Sequence, residues 1–276
     1  MIPPYEILLP LAPWECPNIV SESLASLKWQ TLPPRRVVVS CDGTPPAALR
    51  NVLETSGLPL LIVLGPGGEG VGPVLARGLQ MCECDLIIRA DADDVSLHDR
   101  CTVQLRTMVE RPRLAVLSGQ VKEFTHTPGV KVGMRCVPIG GRQIRRFSQW
   151  RNPINHPAVS LRRSAVLAVG NYRACPGFED YDLWLRLLKR GAEIDNLCRD
   201  LVWCRVGPAH LSRRRGWRYM IHELRFFLRS AKEGTVAWPS ALRLILMRCP
   251  IRLMPAWVLK ICTYAIVRGG SLPASI

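Results

Sequence analysis

Short apolar runs alternate with stretches of helical spacing along the first 120 residues. Residues 7–11, 37–39, 60–64, 86–88 and 114–117 are compact apolar runs that read as strands, and the β-branched 37–39 suits a strand buried in a parallel sheet. Between them, Val20, Leu24 and Leu27, then Leu49, Val52 and Leu53, then Val74, Leu75 and Leu79 recur at helical spacing, and a further helix is expected over about residues 97–110. Pro33-Pro34 stops the first helix, Asp42-Gly43-Thr44-Pro45-Pro46 breaks the chain after the second strand, and residues 65–72 form a glycine loop after the third. This repetition predicts a doubly wound α/β domain with a mostly parallel central sheet. Ligands of such sheets sit beyond the carboxyl ends of the strands.

Gly and Pro are scattered over residues 124–158, which read as loops. Residues 180–190 form an amphipathic helix with Leu183, Trp184, Leu187 and Leu188 on one side and Gly191 as its stop. Farther on, Trp217, Met220, Ile221, Leu224, Phe227 and Leu228 interleave with Arg218, Arg225 and Arg229. The chain is therefore divided into a catalytic-type domain, 1–210, and a basic amphipathic helical region, 211–276.

Charge sharpens that division. The formal net charge is +15, yet residues 1–130 carry −3 and residues 131–276 carry +18. An acidic front half and a basic back half do not suit a uniformly basic nucleic-acid coat, and no nucleic-acid partner is expected. With 48% hydrophobic residues in 276, a sizeable core is expected. The 11 cysteines show no CxxC pair, so a structural zinc site is not expected, and they read as reduced residues of a cytoplasmic protein. The N-terminus has no basic and apolar leader pattern, and no apolar stretch reaches the ~20 residues of a membrane span.

Three motifs carry candidate chemistry. Arg89-Ala90-Asp91-Ala92-Asp93-Asp94 follows an apolar strand, and crowded carboxylates at a strand end invite a divalent cation such as Mg2+ or Mn2+. An EF-hand is excluded by Ser96 at the glycine position and Thr102 at the twelfth; a solvated acidic turn stays open. Gly65-Pro66-Gly67-Gly68-Glu69-Gly70 matches the dinucleotide pattern GxGxxG, but after two strand–helix units, so a plain glycine loop competes with a nicotinamide-dependent oxidoreductase. Phe178-Glu179-Asp180-Tyr181-Asp182 puts three acids at a helix start: Asp180 serves either as N-cap or as a general base. His156 and His210 stand alone; His210 reaches a metal only if the chain folds back. The basic, aromatic tail suits an anionic membrane surface or a solvated packing face, which keeps a non-catalytic polyanion- or membrane-binding protein as the other alternative.

In this order, Val39-Ser40-Cys41-Asp42-Gly43, the glycine loop, Arg89 to Asp94, Asn155-His156-Pro157-Ala158-Val159 and Phe178 to Arg186 resemble the family 2 glycosyltransferases, in particular bacterial enzymes that build capsular and exopolysaccharide repeat units. The resemblance covers about residues 5–210. It implies a GT-A fold for a nucleotide-diphospho-sugar, a divalent metal (Mn2+ or Mg2+) and inversion at the anomeric carbon. It further implies Asp42 against the nucleotide base, Glu15 and Arg89 near the donor, Asp91 and Asp93 as the pair holding metal and diphosphate, and Asp180 as base beside Glu179. The QxxRW pattern of processive synthases is missing, so transfer of one sugar is expected. The implied acceptor is a saccharide, commonly linked to undecaprenyl diphosphate, at the inner face of the plasma membrane, where the basic tail would make the enzyme peripheral.

Overall fold

Tyr5–Leu11 (β1), Arg36–Cys41 (β2), Leu60–Leu64 (β3) and Leu86–Arg89 (β4) pair in parallel in the spatial order β3-β2-β1-β4. These and the other elements are seen in a computed structural model that describes residues 2–207 and 215–254. Pleating sends alternate side chains to opposite faces. Ile7, Leu9, Val37, Val39 and Ile88 pack under Pro17–Lys28 (α1), Ala47–Thr55 (α2) and, on the same face, Arg100–Glu110, which contributes Cys101, Leu105 and Met108. Leu8, Val38 and Ile87 pack on the other side, against Leu75 and Leu79 of Val71–Met81 (α3). Helices cover both faces, which is why the strand runs are unbroken in apolar residues.

Numbering the helix Arg100–Glu110 as α4, the rest of the sheet is mixed. Ser160–Arg162 (β8) lies antiparallel between β4 and Leu114–Phe124 (β6). Glu193–Arg205 (β9) runs parallel to β6 with register irregularities, and Val95–Ser96 (β5) closes the order on its far side, antiparallel. Gly133–Arg135 (β7) pairs with β6. Gly141–Phe147 (α5), Arg163–Ala168 (α6) and Glu179–Lys189 (α7) thicken the α3 face through Ile144, Val166, Leu183 and Trp184.

Residues 124–158 are not all loop, since β7 and α5 lie within them. The fifth strand run continues from Leu117 to Phe124 because β9 supplies a partner along its whole length. The helix expected at 97 begins at Arg100, since Val95 and Ser96 are captured by β9 and the Leu97 N–H donates to the Leu201 carbonyl at 3.0 Å. Phe178, not Asp180, is the N-cap of α7.

The described basic region is an antiparallel pair, Trp217–Lys232 (α8) and Trp238–Arg252 (α9). Phe226, Phe227 and Leu244 from this pair share an apolar cluster with Phe178, Tyr181 and Leu185 of the α7 segment. The expected boundary at 210/211 falls outside the described residues. No helix among the described residues is long and apolar enough to cross a membrane.

Candidate active site

The carboxyl ends of β1, β2 and β4 open on the same edge of the sheet, as parallel pairing requires. Asp91, Asp93 and Asp94 follow β4, and each offers a carboxylate oxygen within 4.8 Å of the others. Burial, then the charges of Asp91 and Glu15, pushes the Asp93 carboxyl up to about 6 against the pull of Arg89. Asp94 is pushed well above the usual carboxylate range by burial and by Asp91 and Asp93. Its Oδ1 accepts the Arg205 N–H at 2.8 Å, while its buried Oδ2 has nothing better than the Cys204 thiol beside it. An orphaned carboxylate oxygen among three hard anionic donors fits Mg2+ or Mn2+.

The loop is held from beneath. The Ser23 hydroxyl donates to the Asp91 carbonyl at 2.7 Å, and the Arg89 guanidinium pairs with Asp91. Arg100 lies on the buried face of α4. Its guanidinium donates to the Arg89 carbonyl at 2.6 Å, to Ser96 Oγ and Gln104 Oε1 at 3.0 Å each, and to the Val159 carbonyl at 3.4 Å. Gln104 in turn donates to the Leu117 and Ala158 carbonyls and to Ser160 Oγ. Burial lowers Arg100 to about 10, so it stays cationic at neutral pH beneath the acids.

Glu179 and Asp180 stand in the first turn of α7. Burial, then the neighbouring Asp180 charge, raises Glu179 to about 7. The Asn152 amide donates to Asp180 Oδ2 at 2.6 Å and orients that carboxylate. Two groups feel both acid clusters. The Arg89 charge acts on Asp91, Asp93 and Glu179, and the Tyr172 hydroxyl lies in the fields of Asp180, Glu179 and Asp91. The two motifs, about 90 residues apart in sequence, thus face one site. His156 accompanies them: its Nε2 lies 3.1 Å from the Tyr172 hydroxyl, and burial and Arg89 drive its pKa well below the usual value, so it is neutral.

Asp42 ends β2 and grips the glycine loop, accepting the Glu69 and Gly70 N–H groups at 3.0 and 3.3 Å. Gly43 (φ +99°) and Gly67 (φ +93°) make this close approach possible, since a Cβ on Gly43 would stand 3.3 Å from Gly67 Cα. The loop amides that a pyrophosphate would need are therefore engaged by Asp42, which weighs against the dinucleotide reading. Arg77 braces the loop from α3 by pairing with Glu69 at 2.5 Å and donating to the Cys41 carbonyl at 3.1 Å. Glu15, in the loop after β1, is close enough to act on Asp93. Asp42, Glu15, Arg89, Asp91, Asp93, Glu179 and Asp180 are thus placed around this sheet edge and the α7 start; His210 lies outside the described residues.

Residues 14–170 match the family described as glycosyl transferase family 2. The chain belongs to that family. As a family 2 glycosyltransferase it is 34% identical over 259 residues to an uncharacterized glycosyltransferase of Haemophilus influenzae, covering 93% of this chain and 96% of the relative. It is 30% identical to the amylovoran biosynthesis glycosyltransferase AmsE of Erwinia amylovora (93% and 96% covered). It is 31% identical to the Escherichia coli UDP-Gal:alpha-D-GlcNAc-diphosphoundecaprenol beta-1,3-galactosyltransferase (92% of each). Among solved structures, the mannosyltransferase PcManGT from Pyrobaculum calidifontis, in complex with GDP-Man and Mn2+, matches with a TM-score of 0.66 at 16% identity, over 99% of this chain and 78% of that one. S. aureus TarS in complex with UDP-GlcNAc matches at 0.62 and 15%, over 95% and 73%. These likenesses establish the GT-A fold.

Sequence reasoning missed four residues of the candidate site: Arg100, Asn152, Tyr172 and Arg205. Arg100 left a readable signal, because Arg100 and Gln104 fall on the same helical stripe as Cys101, Leu105 and Met108. Polar residues on an apolar stripe mark a buried network. The other three reach the acids only through tertiary folding.

Proposed function

We propose that this glycosyltransferase moves one sugar from a nucleotide-diphospho-sugar to a lipid-linked saccharide in cell-surface polysaccharide synthesis, with inversion at the anomeric carbon. The observation that carries the reading is the convergence of Asp91, Asp93 and Asp94 with Glu179 and Asp180 on Arg89 and Tyr172. Asp91, Asp93 and Asp94 would hold Mn2+ or Mg2+, which supplies neutralising charge for a diphosphate. Asp42, Glu15 and Arg89, which surround the acids at the sheet edge, would contact the nucleotide and its diphosphate. Asp180, held by Asn152, takes the proton of the acceptor hydroxyl as its oxygen bonds to the anomeric carbon; the donor C–O bond breaks on the opposite face, and its electron pair leaves with the nucleoside diphosphate. Glu179 at about 7 is largely protonated below neutrality, which suits it as a neighbour that keeps Asp180 from facing a second full charge.

The acceptor class is supported by the Escherichia coli relative, whose name specifies a diphosphoundecaprenol-linked sugar, and the process by AmsE. An acceptor of that kind would bring the enzyme to a membrane surface, the inner face of the plasma membrane in this reading. In transfer assays with such an acceptor, Asp180→Asn is expected to lower turnover by about a thousandfold or more while donor affinity changes little. Near wild-type turnover would remove Asp180 from the role of base.

A further inference from the structure

The charge and apolar faces of α9 are reversed relative to those of an ordinary surface helix. Ala241, Leu244 and Cys249 pack inward, and two of the helix's three arginines point inward with them. Arg248 and Arg252 pair at 2.8 and 2.7 Å with Glu223 of α8, a fully buried acid. The face left outside is apolar: Trp238 is 58% exposed, Leu242 57% and Leu246 66%, with Met247, Leu253 and Met254 also exposed. Arg243 is the one basic residue of α9 not on Glu223, and it stacks its guanidinium over Trp150 at 4.6 Å. An apolar stripe of this kind left on the outside of a helix demands a cover.

The surroundings say which cover. The Gly216 N–H donates to the Arg252 carbonyl at 2.9 Å, so the exposed Trp217 at the start of α8 lies at the Leu253–Met254 end of the stripe, while Trp238 marks the other end. Tryptophans at the ends of an apolar stripe suit a membrane interface, where the ring is half immersed. Arg218, Arg225 and Lys232 of α8, and Arg215 just before it, are exposed. The acids among residues 215–254 are Glu223, which is buried, and Glu233, which pairs with Arg173. The outward charge is therefore positive. A second copy would bring two positive rims together, and residues 255–276 hold Lys260 and Arg268 with no acid.

We propose that the outer face of α9, with Trp217 and Trp238, docks on the surface of an anionic phospholipid bilayer. The proposal deepens the lipid-linked-acceptor reading and rests on it for its purpose. Phe226 of α8 stacks on Phe178 at 4.7 Å and lies 5.2 Å from Tyr181, the residues that flank Glu179 and Asp180. A bilayer gripped by the α8–α9 pair would stand at a fixed offset from Asp180, where an acceptor embedded by its lipid would present its sugar.

The test is co-sedimentation of the full chain with vesicles of phosphatidylglycerol and phosphatidylethanolamine, against vesicles of phosphatidylcholine alone. The wild type is expected to bind the anionic vesicles, less so in high salt, and Leu242→Glu/Leu246→Glu to lose on the order of a hundredfold in partitioning. Its thermal unfolding and its Mn2+-dependent stabilisation by nucleotide sugars should match the wild type, which separates lost docking from lost folding. A second variant, Leu246→Cys carrying an environment-sensitive dye in a background with the exposed Cys16, Cys136 and Cys198 changed to Ser, should shift to the blue on anionic vesicles relative to the same background labelled without Leu246→Cys. The proposal is overturned if the wild type ignores anionic vesicles, if the double variant binds them as well as the wild type, or if the wild type is a dimer that the double variant dissociates. None of these results depends on sugar transfer. Failure of the acceptor reading would show instead as normal vesicle binding with no transfer to a lipid-linked saccharide.

Discussion

Replacing Glu179 by Gln removes a carboxyl that burial and the Asp180 charge hold at about 7, against an ordinary value of 4.5. The sign follows from which state holds the proton. Below pH 4.5 the carboxyl is protonated in both folded and unfolded chains and favours neither. Between pH 4.5 and 7 the unfolded chain releases the proton while the folded chain keeps it, so wild-type stability falls as pH rises. A displacement of that size corresponds to about 3 kcal/mol. Glutamine does not titrate, so the stability of Glu179→Gln minus that of wild type should grow by about 3 kcal/mol from pH 4.5 to pH 8. For a chain of this length that amounts to roughly 5–10 °C in unfolding temperature. Denaturant unfolding of both proteins at the two pH values, without metal, gives the difference of differences directly. A gap that stays constant with pH would mean that Glu179 is ionised in the folded enzyme at pH 5, and the proposed protonated neighbour of Asp180 would be gone.

Two further predictions concern the supports of the site. Arg100→Met deprives the Arg89 carbonyl and Gln104 Oε1 of their donor, and at about 1–3 kcal/mol for each buried acceptor, partly offset by no longer burying a cation, a net loss of roughly 2 kcal/mol is expected. Chemical denaturation together with nucleotide titration in Mn2+ checks it: unchanged stability with unchanged nucleotide affinity would show that Arg100 supports nothing. Gly72→Ala places a Cβ 2.4 Å from the Arg173 carbonyl and 3.4 Å from Glu179 Cβ, so the start of α3 and the segment leading into α7 must part. The expected result is about 1–3 kcal/mol of lost stability and a lower turnover, and a fully active, equally stable variant would contradict the close packing described.

The parallel half of the fold is legible because β1, β2 and β4 are buried on both faces and β3, though a half-exposed edge strand, still carries an unbroken apolar run. Glu193–Arg205 escapes that rule. As β9 it mixes Glu193, Asp195, Arg199 and Asp200 with Ile194, Leu201 and Val202, and its register irregularities spoil the alternation that a half-exposed strand should show. β5 spans two residues and exists only because β9 is beside it. In the site, the acids are legible because each cluster is local in sequence, Asp91 to Asp94 and Glu179 to Asp182. What joins the clusters is not, since Arg89, Tyr172 and Asn152 meet them through the insertion of β8 between β4 and β6 and the docking of α7. Phe178 took the cap position expected of Asp180, leaving Asp180 in the first turn with its carboxylate held by Asn152.

The central claim is that the acids after β4 bind a nucleotide-diphospho-sugar through a divalent cation. Thermal unfolding of the wild type and of Asp91→Asn/Asp93→Asn, each with UDP-, GDP- and dTDP-sugars in Mn2+ or in EDTA, tests it most directly, because a ligand that binds only the folded state raises its apparent stability. At least one of these sugar nucleotides should raise the unfolding temperature of the wild type in Mn2+, with the rise abolished by EDTA and by the double substitution. Stabilisation that persists in EDTA or in the variant, or none with any of them, would contradict the account.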